Sequence, residues 1–246
     1  MRHLTDDPMD RGRFPIAAWR LIETEPSEAD AGLTETLFAV GNGYLGLRGG
    51  PEEGGDTANP GAFINGFHET WPIKHAEDAY GFARTGQSIV TLPDATAVQL
   101  SIDGEALRLG DASLEAYERS LDFREGQLIR DVTWRTATGK RVRVRSSRMV
   151  SFTDRHLALI EVAITVLDAD AQVAIGSQIV NHQDGSSDEP VASATGQADP
   201  RRAPKFSGRV LQPVEHRGDG ERLMLSYRTA ASGMKLAVAA EHSLRA

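Results

Sequence analysis

The 246-residue chain contains no cysteine. Disulfide bonds, thiolate metal centres and cysteine nucleophiles are thereby excluded, and a reducing, cytoplasmic location is the expectation. Aromatic residues are sparse, 6% of the sequence, which disfavours a freestanding carbohydrate-binding module built on exposed rings. No apolar run approaches the roughly 20 residues that cross a bilayer. The segment 1–16 is charged and carries Pro8 and Pro15, unlike a secretory signal. A formal net charge of −8 gives no long-range attraction to phosphate backbones or anionic lipid, so neither nucleic acid nor membrane is an expected partner. The histidines show no H-E-x-x-H spacing and no serine sits in a G-x-S-x-G elbow, so neither metal catalysis nor a serine triad is indicated.

What the sequence does have is glycine in a pattern. Val40-Gly41-Asn42-Gly43-Tyr44-Leu45-Gly46-Leu47-Arg48-Gly49-Gly50 is answered by Gly61-Ala62-Phe63-Ile64-Asn65-Gly66-Phe67. Gly41 to Gly46 matches G-x-G-x-x-G, but a dinucleotide cradle needs a helix directly after the glycines. Leu47-Arg48-Gly49-Gly50-Pro51 opens none, so these glycines are expected to let two β layers approach closely.

Elsewhere the text alternates. Gln87 to Leu92, Ala95 to Ile102, Leu128 to Thr136, Arg141 to Ser147, Leu157 to Val166, Ala171 to Val180, Leu223 to Arg228 and Met234 to Ala240 read as strands. Asp103-Gly104, Thr138-Gly139, Thr153-Asp154 and Ser232-Gly233 mark bends. Helical periodicity is poor, with a short piece expected near Leu114 to Glu118. Many short strands with regular turn signals predict an all-β fold, a large antiparallel β-sandwich with few short helices. One domain spanning residues 1–246 is expected, because no second core is evident and a chain of this length buries roughly three quarters of its unfolded surface.

Arg141, Arg143, Arg145 and Arg148 are expected to share a solvated strand face, with Val142 and Val144 turned inward and Glu125 or Asp131 as cross-strand partners. Two segments break the regularity. Pro51 to Pro60 is expected to be a mobile surface loop on which Glu52, Glu53 and Asp56 are solvated with ordinary pKa values. Gln183 to Arg209 is a second irregular stretch, functional or disordered. If closing strands of the domain lie beyond residue 246, an open sheet edge is expected near Ala237 to His242.

The run from Leu37 to Gly50, then Gly61 to Phe67, Leu92-Pro93, Leu121-Asp122-Phe123-Arg124-Glu125-Gly126-Gln127-Leu128-Ile129-Arg130, Arg141 to Arg148, and Ser151-Phe152-Thr153-Asp154-Arg155-His156-Leu157-Ala158 come in a fixed order. Together they resemble the N-terminal domain of glycoside hydrolase family 65, over roughly Trp19 to Asn181. That resemblance implies enzymes that phosphorolyse or hydrolyse α-linked disaccharides such as maltose, trehalose, kojibiose or nigerose with inversion. Inorganic phosphate is the co-substrate, and no other cofactor is implied. Phosphate attacks without a protein base, so one acid suffices. The family's acid lies in an (α/α)6 barrel that follows the β domain and has no counterpart within residues 1–246. The chain is therefore expected to be a non-catalytic portion, its partners being that barrel of the same polypeptide, an α-linked disaccharide and a second copy in a homodimer. A freestanding sugar-binding module and a structural or dimerisation domain are the competing readings. Arg48, His68, Glu69 and Trp71 are the candidates for the substrate rim or the domain interface. Phe67 and Trp71 could also stack on a sugar ring, although packing between sheets is the weightier reading for both. No catalytic residue is assigned.

Overall fold

The computed structural model describes residues 7–53, 61–73, 75, 77, 79–110, 113–182 and 209–245. In chain order the strands are β1 (Ile16–Ala17), β2 (Arg20–Glu23), β3 (Val40–Gly41), β4 (Leu45–Leu47), β5 (Ala62–Ile64), β6 (His68–Pro72), β7 (Thr85–Ile89), β8 (Asp94–Ile102) and β9 (Glu105–Ala106). There follow β10 (Ser113–Asp122), β11 (Gln127–Arg135), β12 (Arg141–Val150), β13 (Ala158–Val166), β14 (Val173–Val180), β15 (Leu211–Asp219), β16 (Arg222–Thr229) and β17 (Lys235–Glu241). A 3-10 turn, Glu28–Asp30, leads into the helix α1 (Ala31–Leu37). The fold is an all-β sandwich of antiparallel sheets.

Contacts divide the chain into two compact units, Met1–Gly61 with Thr96–Gln178, and Ala62–Ala95 with Ile179–Ala246. The first is organised on a six-stranded sheet in the order β1-β2-β10-β11-β12-β13. Alternation explains its core. Leu128, Val132 and Trp134 of β11 and Val142, Val144 and Val150 of β12 are all buried, while Arg143 and Arg145 face outward. Leu100, Ile102 and Leu107 pack on Trp134, Val142 and Val144. The first two come from β8, centre of the sheet β14-β8-β9, so two sheets close over one apolar layer. Asp103 and Gly104, at φ of 51° and 85°, turn β8 into β9 as the Asp-Gly pair predicts.

The second unit contains the β6–β7 hairpin and the sheet β15-β16-β17. Phe67, Trp71, Val90, Leu92, Leu211, Tyr227 and Leu236 are among its buried apolar residues. β17 stands at the outer position of its sheet, where an open edge is expected.

Three local expectations are corrected. Leu114 to Glu118 is not helical but the start of β10, paired to β11 with a bulge between Leu114 and Ala116. Its helix-forming residues are overridden by pairing with β11 along the whole strand, joined by β2 from Arg119 onward. The helix lies instead at Ala31–Leu37; seven residues are too few to show a 3.6-residue period. Arg148 does not share the exposed face of Arg141 to Arg145, because its parity is that of Val142 and Val144, and it is 1% exposed. The glycines of the opening motif do not all separate β layers. Gly43 and Gly66 are turn residues at φ of 85° and 83°. Gly49 supplies a close approach, since a Cβ there would lie 2.6 Å from the Cβ of Phe38, the residue that ends α1. Residues 54–60 and 183–208, which contain most of the two irregular stretches, lie outside the described residues.

Candidate functional site

After Gly41-Asn42-Gly43-Tyr44 comes strand β4 rather than a helix, so the geometry a pyrophosphate needs is not formed there. Asn42 builds the turn. Its Oδ1 accepts the amides of Tyr44 (2.9 Å) and Leu45 (2.8 Å), and its Nδ2 donates to the carbonyls of Ser151 (2.6 Å) and Arg155 (3.2 Å).

Arg48 belongs to the first unit. Its guanidinium donates to the carbonyl of Gly32 (2.9 Å) and to Glu35 (3.4 Å), holding α1. His68, Glu69 and Trp71 are brought together on β6 of the second unit. Strand alternation divides them: Glu69 and Trp71 turn inward, and His68 lies on the half-exposed side with its Nδ1 2.9 Å from the Gly66 carbonyl. Glu69 accepts the amides of Thr70 (2.7 Å), Ala231 (2.8 Å) and Ser232 (2.6 Å). Burial raises its pKa, but the three amide donors outweigh burial and hold it below the ordinary carboxylate value. Ser232 Oγ donates to the His68 carbonyl, so β6 is stapled to the β16–β17 turn. The Trp71 indole donates to Ser88 Oγ (3.0 Å) and lies flat on the next strand, where a Cβ on Gly86 would meet its ring at 2.3 Å. Phe67 is buried too, 4% exposed. Both rings fill the interior of their unit.

Glu52 and Glu53 overturn the expectation of solvated carboxylates. On the buried side of β11 and β12, facing pairs run Trp134 with Val142, Val132 with Val144, Arg130 with Ser146, and Leu128 with Arg148. The face thus passes from apolar to cationic along its length, and residues 51–53 lie on the cationic end. Glu52 pairs with Arg130 (3.0 Å) and Arg148 (2.9 Å) and accepts from Ser146 Oγ (2.9 Å); Glu53 pairs with Arg130. Burial pushes the Glu52 carboxyl up, but the two guanidiniums and the serine bring it down to about 2.

The ionic layer continues. Arg148 also donates to the carbonyls of Arg48 (2.6 Å) and Gly50 (3.1 Å), and Arg119 donates to that of Gly49 (2.7 Å) and to Glu23 (2.8 Å). Arg13 joins Glu23 (2.5 Å) to Asp30 (2.6 Å). Three consecutive carbonyls of the glycine motif are therefore strapped down by arginines reaching from the sheet. Arg130 and Arg148 stand on the apolar parity of otherwise alternating strands, a signal that the expectation of one solvated arginine face overlooked; their carboxylate partners, nearly 80 or more residues away in sequence, carried no such signal.

On the outer face, Arg143 pairs with Asp131 (2.5 Å) and Arg141 with Glu115 (2.7 Å), while Asp131 rather than Glu125 is the expected partner that forms. Among the described residues, no group of three or more His, Asp or Glu is placed to hold a metal ion, and no helix is long and apolar enough to cross a membrane.

Comparison with known proteins gives this architecture its relatives. The sequence profile of glycosyl hydrolase family 65, N-terminal domain, matches residues 21–246. An uncharacterized glycosyl hydrolase of Mycobacterium tuberculosis is 34% identical over 231 residues, covering 94% of this chain and 28% of the relative. The α,α-trehalose phosphorylase of Thermoanaerobacter brockii is 31% identical over 235 residues, covering 94% and 29%. The kojibiose phosphorylase of Escherichia coli K12 is 37% identical over 168 residues, covering 66% and 20%. A solved structure of a candidate kojibiose phosphorylase from the human microbiome superposes with a TM-score of 0.71 at 19% identity, over 90% of this chain and 27% of that one, and so shares the fold. This chain spans less than a third of the length of these relatives. By its profile match along nearly its whole length, the chain belongs to glycosyl hydrolase family 65 and corresponds to that family's N-terminal domain.

Proposed function

We propose that the chain is the non-catalytic β-sandwich portion of an inverting α-glucoside phosphorylase or hydrolase, and that it works by packing on a helical catalytic barrel and shaping the rim of its active site. In this reading Arg48, His68 and Glu69 bond to backbone, Trp71 fills the interior of its unit, and none of the four touches sugar. One observation carries the reading: the state of two buried carboxylates, Glu52 and Glu69. Cleavage of a glycosidic bond with inversion needs a carboxylic acid that is still protonated near neutral pH, usually with its pKa raised. Glu52, held near 2 by Arg130 and Arg148, and Glu69, held down by three amides, are set up in the opposite sense. The named activities of the relatives, on trehalose and kojibiose, support an α-linked disaccharide as the substrate class in this reading.

The test is direct. The purified chain, incubated with trehalose or kojibiose and inorganic phosphate, is expected to release no glucose 1-phosphate and no glucose. Turnover that survives repurification and disappears on replacing Glu52 by Gln would overturn the proposal.

A further inference from the structure

We infer that one end of the six-stranded sheet is the surface on which the helical catalytic domain docks; this rests on the reading just given and names the contact it requires. Several turns meet at that end. Arg20 faces Asp122, Gln127 faces Met149 and Val150 faces Ala158, which brings the β1–β2, β10–β11 and β12–β13 turns side by side. The β3–β4 turn joins them through the two hydrogen bonds of Asn42 to Ser151 and Arg155.

Each of the three hairpin turns carries a large apolar side chain into solvent. Trp19 is 58% exposed, Phe123 58%, Phe152 78% and Leu157 44%. Single exposed apolar residues are ordinary, but several gathered at one end of a sheet mark an interaction surface. Trp19 has a φ of 62°, a left-handed conformation that a bulky side chain rarely adopts, and its carbonyl accepts the amide of Phe123 (2.9 Å). The backbone is thus held in an unfavourable state beneath an exposed indole. Arg124 lies 5.0 Å from the centre of that indole, and Arg155 lies 4.7 Å from that of Tyr44. Aromatic rings with arginine are the residues that dominate protein interfaces. By contrast, the outer face of β12 shows arginines already neutralised by Asp131 and Glu115, as a solvated surface does.

The occupant follows from size and shape. The chain accounts for 28% and 29% of the length of two relatives that it matches almost end to end, so most of such an enzyme lies beyond this domain. Domains linked in one chain commonly share about 600–1,500 Å². Turn tips present side chains and no row of unpaired backbone groups, which suits side-chain packing against helices rather than strand addition by a second copy. The partner surface is accordingly helical and apolar, with acidic groups opposite Arg124 and Arg155.

Hydroxyl-radical footprinting read by mass spectrometry tests this, comparing the 246-residue chain with the intact longer polypeptide that contains it. Trp19, Phe123 and Phe152 are expected to oxidise readily in the chain alone and to be protected by about five-fold or more in the intact enzyme, as the core of an interface is. Equal oxidation in the two samples would overturn the docking surface and leave the proposed function standing. Protection that arises in the chain alone and grows with its concentration would assign the patch to a second copy and overturn it equally. A reading frame with no helical domain would remove the proposed function itself, and this inference with it.

Discussion

Glu52 in the first unit and Glu69 in the second are buried alike, 4% and 2% exposed, but opposite means keep them ionised. Glu52 is answered by two full positive charges and a hydroxyl, and Glu69 by three backbone amides with no cation in its hydrogen-bond set. The ionic solution spreads: Arg148, which pairs with Glu52, also binds carbonyls of the glycine motif together with Arg119, and Arg130 holds Glu53 as well, so loss of one partner strands several groups. The amide solution is local, one carboxylate stapling one turn. Charge is therefore costly to disturb in the first unit and moderately so in the second.

Replacing Arg148 by Met should break this contrast most severely. It leaves Glu52 buried with part of its compensation gone, and removal of one partner of a buried ion pair costs about 3–5 kcal/mol. Urea unfolding would measure it, and a loss below about 1 kcal/mol would show that Arg130 alone suffices.

Acid comes next. The folded pKa of Glu52 lies below its ordinary value of 4.5, at about 2. Its stabilisation is therefore complete above about 4.5 and is lost as pH falls toward 2, amounting to something of the order of 3 kcal/mol. Unfolding midpoints at neutral pH and at successively lower pH should fall in the unmodified chain and fall less steeply in Glu52→Gln. Identical slopes would remove Glu52 as the source.

Glu69→Gln should cost about 1–3 kcal/mol, since an amide nitrogen is set against backbone donors. Faster hydrogen exchange at Ala231 and Ser232, with the first unit unchanged, is the signature that separates it from a general loosening. The smallest effect should come from Arg143→Ala. An exposed pair with Asp131 contributes about 1 kcal/mol or less, and the difference should shrink in added salt.

Most strands were legible because one face of each had to be apolar. The β8–β9 hairpin and the bends at Thr138-Gly139 and Ser232-Gly233 stood where turn chemistry put them, with Gly104, Gly139 and Gly233 all at positive φ. Leu114 to Glu118 was misread because these residues are locally good helix formers, and only the neighbouring strand β11 decides otherwise. Trp71 was legible as a filler beside glycine, and Gly86 supplies that space from the partner strand. Glu52 and Glu53 were not legible at all. A carboxylate among glycines and prolines looks solvated until its backbone is laid over Arg130 and Arg148.

The sequence alone determined the class of the fold, the family, and the alternation that turns Val142 and Val144 inward, because strand periodicity and turn chemistry act between near neighbours. Tertiary structure alone decided which charges meet. Glu52 is joined to Arg148 across 96 positions and Glu69 to Ser232 across 163. Whether a carboxylate is exposed, paired with cations or capped by amides depends on what the folded chain brings to it, and a linear text does not record that distance.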